Sequence, residues 1–225
     1  MEASHTAQRA VAVAGATGLV GRSLVARLCA DPSVAVVHAL VRRDPGLAHP
    51  KLRVHTVDFA ALPALPALDE VYLALGTTIK IAGSRERFRA VDFDANLAVA
   101  RAAQAAGARR AGLVSALGAQ ARSSVFYSRV KGELEEALAA LGFDALVIAQ
   151  PSMLRGDRDA LGQPERTGER WAARADRLLG PLIPRKLRAI DAADVAAALR
   201  RQLPTAQGRV VLPSGAMQGA NQART

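Results

Sequence analysis

Residues 10–21 read Ala10-Val11-Ala12-Val13-Ala14-Gly15-Ala16-Thr17-Gly18-Leu19-Val20-Gly21, an apolar run that ends in glycine and passes directly into a helix-forming stretch. A short apolar run bounded by a turn signal predicts a buried parallel strand over Ala10 to Ala14. Leu19, Val20, Leu24, Val25 and Leu28 then recur at helical spacing, and Asp31-Pro32 ends the helix. Three glycines spaced GxxGxxG between a strand and a helix are the setting in which a glycine pattern becomes a binding hypothesis. Without side chains at Gly15 and Gly18, the chain can turn sharply. An anion can then approach the amide hydrogens at the helix N-terminus, where the helix dipole favours negative charge. Gly21 lets helix and strand lie close. The loop is therefore read as a site for a dinucleotide pyrophosphate, with Gly15, Thr17, Gly18, Leu19, Val20 and Gly21 around it.

The alternation of strand and helix continues downstream. Further strands are predicted over Ala35–Val41, Val54–Asp58, Val71–Leu75, Ala111–Ser115 and Ala145–Gln150, the last stopped by Pro151. Between them, Leu62–Leu68 reads as a loop or short helix, Arg87–Ala106 as a helix ended by Gly107, and Ser128–Leu141 as a helix closed by Gly142. After a polar, turn-rich loop from Arg155 to Arg170, the period predicts helices over Trp171–Leu179 and Asp191–Leu203 and a last strand over Arg209–Leu212. Parallel strands need crossover connections, and the helices supply them. The expected fold class is α/β, a doubly wound parallel sheet of the Rossmann type with a short C-terminal appendage. Residues 1–9 are expected to be a flexible N-terminus, 10–213 one domain with a small substrate-side segment at 151–213, and 214–225 a disordered tail.

Composition bounds the partners. Half the 225 residues are apolar and only 4% aromatic, so the core is to be built from alanine, valine and leucine. A net charge of +10 invites a nucleic-acid reading. The arginines are dispersed from Arg9 to Arg224, however, and only Lys51, Lys80, Lys131 and Lys186 are lysines, which fits a solvated surface and no nucleic-acid partner. Cys29 is the single cysteine and the four histidines are scattered, so neither a disulfide framework nor a metal site is expected. No apolar run reaches the roughly 18 residues of a membrane span. The expectation is a protein that is soluble, cytoplasmic and without a membrane partner.

Strand two ends in Leu40-Val41-Arg42-Arg43-Asp44. An acidic residue here suits the ribose hydroxyls of NAD(H), whereas an arginine can pair with the 2′-phosphate of NADP(H). Arg42, with Arg43, favours NADP(H), although Asp44 could serve a ribose. Asp58 and Phe59, after strand three, are placed for the adenine side. Tyr127-Ser128-Arg129-Val130-Lys131 sets a phenol and an ammonium on one face of a helix start. A lysine charge there stabilises a phenolate and fits the tyrosine for proton transfer. Ser115, ending strand five, can hydrogen-bond the substrate oxygen that the tyrosine would protonate.

The glycine loop, Ala74-Leu75-Gly76-Thr77-Thr78, Ser115 and the Tyr127–Lys131 stretch together resemble the short-chain dehydrogenase/reductase superfamily. Within it they are most similar to the atypical members related to the Tat-interacting protein TIP30, the oxidoreductase HTATIP2 family. The resemblance implies a catalytic triad of Ser115, Tyr127 and Lys131, with Tyr127 and Lys131 also touching the cofactor. It further implies that Leu75, Gly76 and Thr77 line the cofactor and that Pro151 and Met153 approach the nicotinamide. An asparagine that assists proton relay in many members has no secure counterpart, since Asn96 lies far along its helix. The leading expectation is hydride transfer from NADPH to a small carbonyl-like substrate. Two other readings use the same residues: an NADP(H)-binding redox sensor controlling a protein partner, and a nucleotide-sugar epimerase or dehydratase. Arg42 and the short stretch after Pro151 count against the latter. A homodimer through the helices flanking the sheet is also implied.

Overall fold

Mainly apolar runs of four to eight residues become the central parallel strands because both faces of such a strand can be covered by the intervening helices. The computed structural model describes residues 8–155 and 187–222. Its strands in chain order are β1 (Arg9–Ala14), β2 (Val34–Val41), β3 (Leu52–Thr56), β4 (Glu70–Leu73), β5 (Arg110–Val114), β6 (Ala145–Gln150), β7 (Leu154–Arg155), β8 (Ile190–Asp191) and β9 (Gly208–Pro213). The helices are α1 (Leu19–Cys29), α2 (Ile79–Ala82), α3 (Arg85–Arg89), a π-helical turn (Ala90–Ala95), α4 (Asn96–Ala105), α5 (Phe126–Ala139), α6 (Ala192–Gln202) and α7 (Ser214–Met217). Seven strands form one sheet in the order β3-β2-β1-β4-β5-β6-β9, and β7 pairs with β8 apart from it. Every pairing in the main sheet is parallel. The chain winds outward from β1 to β3, then returns to lay β4 on the other side of β1. That reversal opens a crevice beyond the carboxyl ends of β1 and β4, where sheets of this kind bind ligands.

Side-chain alternation divides the core in two. Val11 and Val13 of β1 pack with α1 and α6, through Leu24, Leu28, Val195 and Leu199. Ala12 and Ala14 face the other way, onto α4 and α5 through Val99, Ala103, Leu134 and Leu138. At the amino ends of the strands a polar network closes the sheet. Glu70 is buried and accepts from the Tyr72 hydroxyl at 2.9 Å and from Arg9 at 2.5 Å. Arg200 of α6 reaches Asp31 at 2.9 Å. Between β2 and β3, His38 Nδ1 and His55 Nε2 lie 2.8 Å apart. Burial, followed by the neighbouring His55 and Arg53, holds the His38 imidazole below its ordinary pKa of 6.5.

Several expectations are corrected. The helix expected over Arg87–Ala106 begins at Arg85 and is interrupted by the π-helical turn, and of the two readings of 62–68 the loop is the one found. Strand three lies at Leu52–Thr56 rather than Val54–Asp58. The tail expected to be disordered from Ser214 instead forms α7 and two turns through residue 222. Met217 is fully buried, and Asp194 of α6 accepts from the Gly219 and Asn221 amides at 3.1 and 2.8 Å. The helix expected at Trp171–Leu179, and the loop beyond Arg155, lie outside the described residues.

Candidate functional site

Every connection that leaves a carboxyl end of the central strands carries residues singled out in the sequence. The first is the glycine loop. Gly15 has φ +84°, and a Cβ there would stand 2.4 Å from the Ala74 carbonyl oxygen, so the turn and the close approach of the β4 connection both demand glycine. A Cβ at Gly21 would lie 2.0 Å from the Gly15 carbonyl oxygen, which explains the third glycine as a contact between helix and loop. Gly18 is the N-cap of α1 in an extended conformation, with no side chain capping the helix. Its own added Cβ would meet only the Gly15 carbonyl oxygen, at 3.4 Å. A helix start that is uncapped by side chains, open at Gly18 and set at the sheet's switch point fits an anionic diphosphate.

The adenosine side follows from β2. Because Ala14 and Leu40 are in register, Arg42 lies just past the level at which β1 turns into the glycine loop. Arg42, Arg43 and Asp44 are all exposed, and the Asp44 carboxylate accepts from the Gly46 amide at 2.9 Å. Asp58 is exposed and accepts from the Ala60 amide at 2.9 Å, with Phe59 partly buried beside it.

On the other side of β1, the connection after β4 meets α5. Lys131 is buried, and its Nζ lies 2.7 Å from Oδ1 of Asp92, itself fully buried on the π-helical turn. Asp92 Oδ2 accepts from the Thr77 amide at 2.8 Å, and a Cβ at Gly76 would come within 3.8 Å of the Lys131 ammonium. Burial alone would lower the Lys131 pKa. The Asp92 carboxylate, with Tyr127 and Glu135, outweighs it and holds the ammonium above its ordinary value. Tyr127, one turn earlier, is partly buried with its ring 5.5 Å from that of Phe88, centroid to centroid. Leu75 is tied down through its carbonyl, which accepts from Asn96 Nδ2 at 3.1 Å.

Ser115 departs from expectation. Its hydroxyl donates at 2.5 Å to the buried carboxylate of Glu135, one turn beyond Lys131. Glu135 also accepts from Gln150 at 3.0 Å and from Arg209 at 3.3 Å. The serine's only proton is therefore engaged inside α5, not beside the Tyr127 phenol, although its backbone stands at the end of β5 as read. Pro151 is buried and its carbonyl accepts from the Leu117 amide at 2.8 Å, while Met153 is exposed. Asp92, Glu135, Gln150 and Phe88 were missed. A signal existed: Phe88, Asp92 and Asn96 share one helix face, as do Tyr127, Lys131 and Glu135.

Sheet order, glycine loop and the Tyr127–Lys131 face define a Rossmann-type dinucleotide-binding domain. The family model described as NAD(P)H-binding matches residues 15–204. The protein fmp52, mitochondrial, of Emericella nidulans is 36% identical over 159 residues, 66% of this chain and 68% of that protein. Protein FMP52, mitochondrial, of Candida albicans is 36% identical over 154 residues, 65% and 67% of the two chains. The chain belongs to the NAD(P)H-binding family and, within it, with the FMP52 proteins. Solved structures agree on the fold. An oxidoreductase of the short-chain dehydrogenase/reductase family from Burkholderia thailandensis superposes with a TM-score of 0.66 at 19% identity, covering 93% of each chain. MoeE5 in complex with UDP-glucose and NAD gives 0.66 at 19%, covering 90% of this chain and 74% of that one. The dinucleotide-binding Rossmann fold that the resemblance implied is thereby upheld, and the sequence relatives named above are FMP52 proteins. Among the described residues no helix is long and apolar enough to cross a membrane. The cytoplasmic location expected from the sequence is overturned by relatives whose names place them in mitochondria.

Proposed function

We propose that this domain is an NADP(H)-dependent oxidoreductase that reduces an apolar carbonyl compound. The observation that carries the proposal is a buried lysine, kept cationic, one helical turn from Tyr127 and beside the Gly76–Thr77 connection that borders the dinucleotide crevice. Gly15, Thr17, Gly18, Leu19, Val20 and Gly21 would hold the diphosphate, Arg42 and Arg43 the 2′-phosphate, Asp58 and Phe59 the adenine side. Leu75, Gly76, Thr77, Pro151 and Met153 would flank the nicotinamide half. The two exposed cations that directly follow β2, ahead of Asp44, support NADP(H) over NAD(H). When bound, the reduced cofactor supplies the hydride that the protein itself lacks.

The chain's own residues supply the rest. Tyr127 donates its phenolic proton to the carbonyl oxygen as the carbonyl carbon gains the hydride, giving an alcohol. The Lys131 ammonium stabilises the phenolate left behind. Ser115, whose hydroxyl donates to Glu135, stands at the fixed end of β5. Ile79, Ile81, Leu117, Val125 and Met153 are exposed large apolar side chains on the connections after β4, β5 and β6. Residues 74–84, 115–125 and 151–155 include no Asp or Glu. A substrate with an alkyl or aryl body suits that rim better than a sugar does. Purified protein is to be assayed for NADPH oxidation against a panel of alkyl and aryl aldehydes and ketones. Tyr127→Phe is expected to lose ~10²–10⁴-fold in kcat with NADPH affinity retained. A panel without turnover, or a Tyr127→Phe variant as active as the wild type, refutes the reading.

A further inference from the structure

A fully buried carboxylate in the middle of a helix is costly unless its partners are close and well aligned. Asp92 has two close partners from two different elements: the Lys131 ammonium of α5, in an ion pair of 2.7 Å at Oδ1, and the Thr77 amide of the β4 connection, which donates to Oδ2 at 2.8 Å. The turn that carries it is π-helical, interrupting α-helix on both sides, and such turns cluster where a side chain must be aimed. Asn96, four residues on, donates to the carbonyls of Leu75, Val91 and Asp92, fastening the same connection to the same turn.

We propose that Asp92 is the positioning residue of this site: it clamps Lys131 to the Gly76–Thr77 connection, so that seating the cofactor and aligning the lysine of the Tyr127–Lys131 pair are one event. The role rests on the oxidoreductase reading above. Three groups bear on the ammonium: Asp92 from the π-helical turn, and Tyr127 and Glu135 from α5 itself. Glu135 already accepts from Ser115, Gln150 and Arg209. Asp92 is thus the carboxylate in direct contact. Without its charge, burial acts on Lys131 unopposed at that contact, favouring the neutral amine and freeing the side chain to swing away from the cofactor connection.

The test reads the lysine directly. The chain has four lysines, Lys51, Lys80, Lys131 and Lys186, so labelling lysine with carbon-13 at Cε gives a small set of signals, and Lys131→Arg identifies the relevant one. In the wild type this signal is expected to titrate above the ordinary 10.5, because the Asp92 carboxylate outweighs burial. In Asp92→Asn, which keeps an acceptor for the Thr77 amide but not the charge, the midpoint moves to lower pH. The same variant loses ~10²-fold in kcat, with the alkaline limb of its pH profile shifted to lower pH, and NADPH binds more weakly because the cofactor connection is unclamped, while carbonyl KM stays within about 2-fold. Any carboxylate at 2.7 Å raises the lysine's midpoint, so the discriminating readout is the rate: a purely structural Asp92 would leave the alkaline limb where it is. A wild-type midpoint at or below 10.5, or an Asp92→Asn midpoint equal to the wild type, overturns the proposal. A wild-type midpoint at or below 10.5 overturns it even where the variant fails to fold. Absence of carbonyl turnover in the wild type sinks the oxidoreductase reading instead, leaving the clamp to be judged by the titration.

Discussion

Replacing Gly15 and Gly18 one at a time by alanine separates the folding role of the glycine loop from its binding role. At Gly15 the φ of +84° costs an L-residue ~1–2 kcal/mol. The added Cβ, 2.4 Å from the Ala74 carbonyl oxygen and 2.5 Å from its carbon, meets backbone that cannot yield without moving the β1–β4 crevice. Overpacking of that kind adds ~1–3 kcal/mol. Together, about 2–5 kcal/mol is a large share of the ~5–15 kcal/mol that stabilises an ordinary domain. Gly18 differs. Its φ is −82° and an added Cβ touches only the Gly15 carbonyl oxygen, at 3.4 Å, so alanine there costs the fold about 1 kcal/mol or less as a poorer N-cap. The same methyl would stand in the open space where a diphosphate meets the helix start. A clash worth ~1–3 kcal/mol weakens NADPH binding ~5- to 150-fold. Urea unfolding and calorimetric titration of NADPH, run on both variants, read the two effects. A Gly18→Ala protein that binds NADPH as the wild type does, or a Gly15→Ala protein of unchanged stability, refutes the division of labour.

Two further outcomes are expected. Arg42→Ala should weaken NADPH by ~10- to 100-fold, the worth of a charge-assisted phosphate contact, while NADH affinity stays put; equal losses for both cofactors would remove Arg42 from the 2′-phosphate site. Stability should fall with acidification through His38: its folded pKa lies below the unfolded 6.5, so its contribution is complete above 6.5 and is lost as pH drops through the folded value. Urea midpoints taken between about pH 7.5 and 5.5 should slope downward in the wild type and less so in His38→Gln, and parallel slopes would exonerate the pair.

The legible part of this molecule is the part dictated by backbone and burial. Parallel strands covered on both faces are apolar runs between turn residues, so β1, β2, β5 and β6 fall within a residue of their reading. Strand β3 slipped because it pairs on one side only, with β2, and its Arg53 and His55 break the apolar run. Gly15 and Gly21 were legible for the same reason as the strands, since a turn and a close contact leave no choice of residue. Asp92 was not. An acidic residue inside a helix reads as solvated surface, and the partner that pulls it inward, Lys131, is distant in sequence. The place of Ser115 at the end of β5 was legible, but its hydrogen-bond partner was not, because Glu135 sits on another element. The ordered end of the chain was hidden by composition: Ser214 to Gln222 is small and polar, and only Met217 reports that it packs.

That last segment has a practical reach. Met217 fills the same apolar layer as Leu24 and Leu28, and Asn221 accepts a hydrogen bond from Arg27, so the final turns lean on the helix whose start frames the cofactor crevice. Trimming the polypeptide after Pro213 to obtain a tidier crystallisation target would unplug that layer and loosen the nucleotide's own helix from behind. An affinity handle fused immediately behind Gln222 would load the same hinge point, and a spacer ahead of it would spare the helix.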